Sequence, residues 1–179
     1  MDEIAVSTVV YLPPDEVYDF LVDFPRYANY SKHLEEVRSD GDGSSGTRYA
    51  LRFAWWKLTY TAHSEVTDLD PPARIDWRLV KDIHAHGRWR VEPLDEFPAD
   101  APPDADAACR VHFEIEFDAD TARDGALDLP PLVSFDWVIG KIKPLVLKEA
   151  ERVVERIVAD IEGRERDVEL TVRNRPTSV

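Results

Sequence analysis

Five aromatic side chains spread through the middle of the sequence are the residues best placed to do chemistry, and the chemistry they offer is recognition of something apolar. Phe53, Tyr60, Trp77, Trp89 and Phe113 fall on the same parity of successive alternating segments. A single sheet would therefore turn all five toward one face. An aromatic-lined cavity with few polar groups is the usual form of a lipophilic-ligand site, and ordinary core packing is the competing account of the same pattern. At about 24 cal/mol per Å³, a dry cavity of about 300 Å³ would cost about 7 kcal/mol, comparable with the stability of a whole domain. Such a cavity holds ligand or water, or these rings plug it. Trp55-Trp56-Lys57 falls at a turn between two alternating segments. It reads either as an exposed aromatic tip (a ligand gate, or a contact for a membrane surface or a protein) or as two rings tucked under a neighbouring loop.

Catalytic signals are thin. His84-Ala85-His86 puts two imidazoles on one strand face, a spacing able to hold a metal, but Arg88 and Arg90 share that face and neither carboxylate nor cysteine is close in sequence. No metal is expected there. His33, His63 and His112 fall on polar faces or turns. The chain contains no Gly-x-Ser-x-Gly, phosphate loop, dinucleotide fingerprint or His-Glu-x-x-His. No catalytic residue and no cofactor are assigned. If a buried acid–base step exists, Tyr30, Tyr60 and His63 are the first places to look.

The elements that must position these residues are well marked. An apolar strand over residues 3–11 runs into Pro13-Pro14, where fixed φ starts a helix, and Asp15 and Glu16 place negative charge at its first turn. Val17, Phe20, Leu21 and Phe24 recur at helical spacing, and Pro25 opens a second short helix over 25–31. The Gly/Ser/Asp-rich run 39–46 is turn chemistry between a strand near 35–39 and another from Thr47. Residues 47–54, 58–68, 74–79, 84–91 and 109–117 alternate apolar with polar, as antiparallel strands with one wet face do. The Pro/Asp/Ala-rich stretch 95–107 reads as an acidic surface loop.

Residues 133–163 carry one apolar stripe, Val138, Ile142, Leu145, Val146, Ala150, Val153, Ile157 and Ile161, and form the long C-terminal helix. Pro144 inside that stripe should kink the helix or divide it near Lys143, and Gly163 stops it. Residues 1–163 are therefore a single α+β domain. A curved antiparallel sheet of six or seven strands grips the C-terminal helix, with two short helices after the first strand. The inward ligand-binding set comprises Phe53, Trp55, Tyr60, Trp77, Trp89 and Phe113, covered by Val138, Ile142 and Leu145. Residues 164–179 are expected to be a mobile tail, pairing with an edge strand or a second subunit being the alternative.

Composition bounds the rest. The chain has 179 residues and a formal charge of −14, with 21 Asp and 15 Glu against 16 Arg and only 6 Lys. Excess short carboxylates with scarce lysine suit a salt-rich cytoplasm, where screening suppresses self-repulsion. Recruitment of a basic partner is the other account. Nucleic-acid binding is disfavoured, since phosphate contacts need a basic face. Cys109 is the lone cysteine, no apolar run reaches membrane-spanning length, and Met-Asp-Glu-Ile is not a signal peptide start. A cytoplasmic protein of undetermined oligomeric state is expected.

Three stretches carry a family likeness. Pro13-Pro-Asp-Glu-Val-Tyr-Asp-Phe-Leu-Val-Asp23 followed by Phe24-Pro-Arg-Tyr27, then Tyr60-Thr-Ala-His-Ser-Glu-Val66, then Cys109-Arg-Val-His-Phe-Glu-Ile-Glu-Phe117, together resemble the START-like helix-grip superfamily (SRPBCC). Within it, the likeness is to the polyketide cyclase/dehydrase and coenzyme Q-binding group, over residues 3–163. The resemblance implies a deep hydrophobic cavity between sheet and C-terminal helix. It also implies a lipophilic small molecule as partner, of lipid, isoprenoid quinone or polyketide type. Binding or carriage is the expected function. A cyclase/dehydratase and a regulatory interaction protein are the alternatives. The acidity, the 95–107 insertion and Pro144 depart from the family pattern.

Overall fold

A computed structural model describes residues 2–55, 57–118, 120–121 and 133–175, with backbone alone at 135–136, 138–147 and 174–175. Strand β1 (Asp2–Val10) leads into α1 (Pro14–Val22) and a 3₁₀ helix (Phe24–Asn29). Strands β2 (Leu34–Asp40), β3 (Arg48–Trp55), β4 (Leu58–Asp70), β5 (Arg74–Leu79), β6 (Ala85–Pro93) and β7 (Cys109–Phe117) follow, then α2 (Phe135–Glu162) and β8 (Thr171–Arg175). Pro14 lies at the start of α1 with Asp15 and Glu16 in its first turn, and the helix buries Val17, Tyr18, Phe20 and Leu21.

All pairings are antiparallel, in the order β2-β3-β4-β5-β6-β7-β1-β8. The alternating pattern of the sequence becomes two faces. Val66, Ile75, Val91, Cys109 and Val111 turn inward into one core with Val17, Phe20, Leu21 and Phe24 from the first helices and Val158 from α2. Val153, Val154, Ile157 and Ile161 of α2 pack against that cluster, which sets the helix across the inner face of the curved sheet.

Two expectations are corrected. Among the described residues the sheet has eight strands, not six or seven, because Thr171–Arg175 pairs with β1. Of the two expected effects of Pro144, a kink or a division, the division does not occur: one helix runs from Phe135 to Glu162. A proline withholds one backbone bond, and a helix of this length keeps the bonds on either side. Ser134 caps the helix by accepting from the Trp137 amide at 3.2 Å. Gly163, with φ of 78°, ends it in the left-handed conformation that favours glycine.

The segment after Gly163, expected to be a mobile tail, is fastened. The Glu162 carboxylate accepts from the Tyr11 amide at 2.9 Å and from two nitrogens of Arg166, each at 2.8 Å. Arg166 also donates to the Val9 carbonyl at 2.9 Å and lies 4.8 Å from the centre of the Tyr11 ring. Val168 is buried in the core, and Thr8 donates to the Glu169 carbonyl at 2.9 Å. Residues 176–179 lie outside the described residues. No described helix is long and apolar enough to cross a membrane.

Candidate functional site

Three of the inward aromatics meet. Trp77 stacks on Phe113 with centroids 5.9 Å apart and planes at 17°, and Phe113 meets Trp89 at 4.7 Å. They lie on three adjacent strands, Trp89 directly opposite Phe113 and Trp77 opposite Gly87. From Trp89 the array continues to Tyr27 at 6.5 Å, and Tyr27 stacks on Phe20 and Phe24 at 5.8 and 5.3 Å. Phe24 in turn meets Tyr49 at 4.6 Å. A band of π-faces thus runs from β5 across β6 and β7 to the 3₁₀ helix.

Tyr27 is the member that sequence reasoning missed. Phe20, Phe24 and Tyr27 follow i, i+4, i+7 spacing, a signal that was available. The residue is half-buried with its phenol desolvated, which pushes the phenol well above its ordinary value, and its hydroxyl donates to the Leu21 carbonyl.

Phe53 and Tyr60 form a separate pair, opposite each other on β3 and β4. Among the described residues no ring contact joins them to Trp77, Trp89 or Phe113. Phe53 is 38% exposed, at the end of the inner face where β3 and β4 turn. Trp55 is half-buried opposite Leu58. Trp56 lies outside the described residues, as do the side chains of Val138, Ile142 and Leu145 on α2.

The three ionisable suspects separate cleanly. Tyr30 donates its hydroxyl to the Asp160 carboxylate, which also takes Arg26 at 3.2 Å, while Arg156 donates to the Tyr30 carbonyl at 2.8 Å. Burial first, and then Asp160, raise the Tyr30 phenol. The residue clamps the 3₁₀ helix to α2. His63 stands on the opposite, outer parity of β4. Tyr60 alone stays on the inner face. Among the described residues its buried hydroxyl has no hydrogen-bond partner, nor has that of Tyr18 on α1, and burial and then Asp82 raise its pKa. Cys109 is fully buried, bonded to the Leu12 carbonyl, and burial pushes its thiol up to about 11, so it is not a nucleophile.

The outer face is an ionic lattice. Asp40, Arg48, Glu65, Arg78, His86 and Glu116 are successive cross-strand partners over six strands. Within that row Arg48 and Arg78 reach Glu65 at 3.3 and 3.6 Å, and His86 reaches Glu116 at 3.2 Å. His86 thus has a carboxylate that its sequence neighbours did not reveal, and the pair is exposed. His112 meets Glu92 at 2.8 Å.

Comparison with known proteins agrees with this architecture. A family model described as polyketide cyclase/dehydrase and lipid transport matches residues 1–162. The Zhui aromatase/cyclase from Streptomyces sp. R1128 superposes with a TM-score of 0.60 at 18% identity, covering 90% of this chain and 94% of that one. A START superfamily protein from Mycobacterium smegmatis gives 0.59 at 14% identity, covering 90% and 99%. A protein from Thermus thermophilus gives 0.54 at 18% identity, covering 90% and 95%. No match was found among curated proteins.

Proposed function

Starting from a chain that belongs to the polyketide cyclase/dehydrase and lipid transport family, we propose that it binds or carries a lipophilic small molecule between the inner face of the sheet and α2. The ligand is a lipid, an isoprenoid quinone or a polyketide-like ring system. The observation that carries this reading is the continuous aromatic band Trp77–Phe113–Trp89–Tyr27, which offers flat apolar surface to a ring or chain. The charge of −14 with few lysines supports a salt-rich cytoplasm as its setting.

A second reading, a cyclase or dehydratase acting on a polyketide-like substrate, draws on one group. Among the described residues the Tyr60 hydroxyl has no partner, and its raised pKa keeps it protonated as a proton donor.

Native mass spectrometry and organic extraction of the purified protein test both. A co-purifying quinone or lipid, released on denaturation, is the expected result. Protein that carries nothing, and whose tryptophan fluorescence ubiquinone-1 leaves unchanged, would sink the carriage reading. Turnover of a polyketide-like substrate that Tyr60→Phe abolishes without loss of binding would replace it with the enzyme.

A further inference from the structure

The outer face of the sheet holds a concavity, on the side away from the Trp77–Phe113–Trp89 array. A half-open groove of about 600 Å³ lies over β2, β3 and β4, walled by Lys81 and Asp82. Its depth follows from the register. Arg38, Ala50 and His63 are cross-strand partners in one row, so a methyl group lies between two long side chains. In the next row Arg52 stands opposite Thr61.

This patch breaks the ionic lattice of the rest of the face. The row Asp40–Arg48–Glu65–Arg78 alternates in sign, whereas Arg38–Ala50–His63 contains no carboxylate. Lys81 has no ion-pair partner, and the His63 imidazole no hydrogen-bond partner, among the described residues. Arg38 and Arg52 reach only Glu36 and Glu35, at 3.1 and 3.3 Å, and all four of those side chains are 45–76% exposed. Exposed pairs of this kind hold weakly and re-pair readily.

The wall is also unusual. Asp82 has φ of 67°, and the Ile83 amide donates to the Lys81 carbonyl at 2.8 Å across it. That is a γ-turn of the rarer positive-φ kind, which costs backbone energy and tends to persist where the chain holds a side chain for use.

Arg38, Arg52 and Lys81 against Glu36 and Asp82 leave the lining at +1, or neutral once Glu35 beside Arg52 is included, in a chain of −14. We propose that the groove is a second binding site, for a phosphorylated polyol of the sugar-phosphate class. The guanidinium forks and the ammonium take the phosphate oxygens. The two carboxylates and Thr61 accept or share the hydroxyls of the organic body, a role that a bare anion would leave unused. The volume falls within the range of small-molecule sites and exceeds what inorganic phosphate fills. Tyr60 also lines the groove, so the site adjoins one inner-face residue, while Arg38, Arg52 and His63 stand on the outer parity.

The His63 imidazole resonances, identified by their loss in His63→Gln, report on occupancy. Glucose 6-phosphate, inorganic phosphate and glucose are titrated in turn, at the lowest potassium chloride at which circular dichroism shows the fold intact. The expected result is a saturable shift with glucose 6-phosphate, half-saturated at a concentration at least about fivefold below that for phosphate, and none with glucose. Arg52→Gln/Lys81→Gln, with an unchanged melting temperature, should weaken binding at least about tenfold. Absence of a saturable shift, equal affinity for phosphate and the sugar phosphate, or undiminished affinity in the double variant overturns the proposal.

Discussion

The indole of Trp77 lies over the α-carbon of Gly87, its cross-strand partner: a β-carbon at position 87 would sit 2.5 Å from Trp77 Cζ2 and 2.5 Å from the Glu114 carbonyl oxygen. Backbone blocks one side and the ring the other, so only glycine lets Trp77 settle onto Phe113. Gly87→Ala should cost about 1–3 kcal/mol, the usual size of overpacking, in urea unfolding. A variant as stable as the parent would mean that the indole swings away freely and the face beneath α2 has open space.

Trp89 touches Phe113 and Tyr27 and is only half-buried. Truncating a packed tryptophan to alanine costs about 3–5 kcal/mol. If the ring borders a ligand, Trp89→Ala should fall below that range while weakening ubiquinone-1 binding at least about tenfold. A full-sized loss of stability with binding untouched would make the residue plain core.

Asp160 gives the fold an acid limb. The Tyr30 hydroxyl, and after it Arg26, hold this carboxyl below its ordinary value. A group whose value is depressed on folding stabilises above its unfolded pKa and loses that contribution as pH falls through the folded one. Melting temperature should therefore drop as pH goes below about 4, and Asp160→Asn should flatten that part of the profile. An unchanged acid limb in the variant would remove Asp160 from the account.

Arg166 compensates a carboxylate that is almost sealed, the Glu162 side chain being 3% exposed. Removing one partner of a buried pair costs more than removing both, because the remaining charge stays desolvated. Arg166→Met should lose up to about 3 kcal/mol and open the amides of β1 and β8 to hydrogen exchange, and Glu162→Gln in addition should restore part of it. Protection at Thr171–Arg175 that survives Arg166→Met would show that the strand needs no latch.

Salt should stabilise the protein. With a formal charge of −14, the melting temperature should rise as potassium chloride goes from about 0.1 M to 1 M, where the screening length falls to about 3 Å. A flat or falling curve refutes adaptation to a salty cytoplasm.

Much of the sheet was legible because period-2 alternation is unambiguous where one face is buried. Ile75, Trp77, Ala85, Val91, Cys109 and Val111 all point as their parity requires. The eighth strand was legible only as the alternative of edge pairing, for the converse reason. Thr-Val-Arg-Asn-Arg carries one apolar side chain, Val172, and what anchors it is an ion pair at 162 and 166 that resembles ordinary helix decoration. The inward aromatics form one set by parity, but parity cannot say where along a strand a ring falls. Phe53 and Tyr60 lie one hairpin away from Trp77, Trp89 and Phe113. The outer groove depends on Ala50 standing between Arg38 and His63, and that needs the register of three strands at once.

The place of β1 between β7 and β8 dictates an order of assembly. Strands β2 to β7 each pair with their neighbour in sequence, through short turns except for the long 94–108 connection before β7, so this meander forms from largely local contacts. Strand β1 has no partner until Cys109–Phe117 has emerged, and none on its other edge until Thr171–Arg175 follows. The strand β1 is therefore held in reserve while the meander forms, and Thr171–Arg175 seals it.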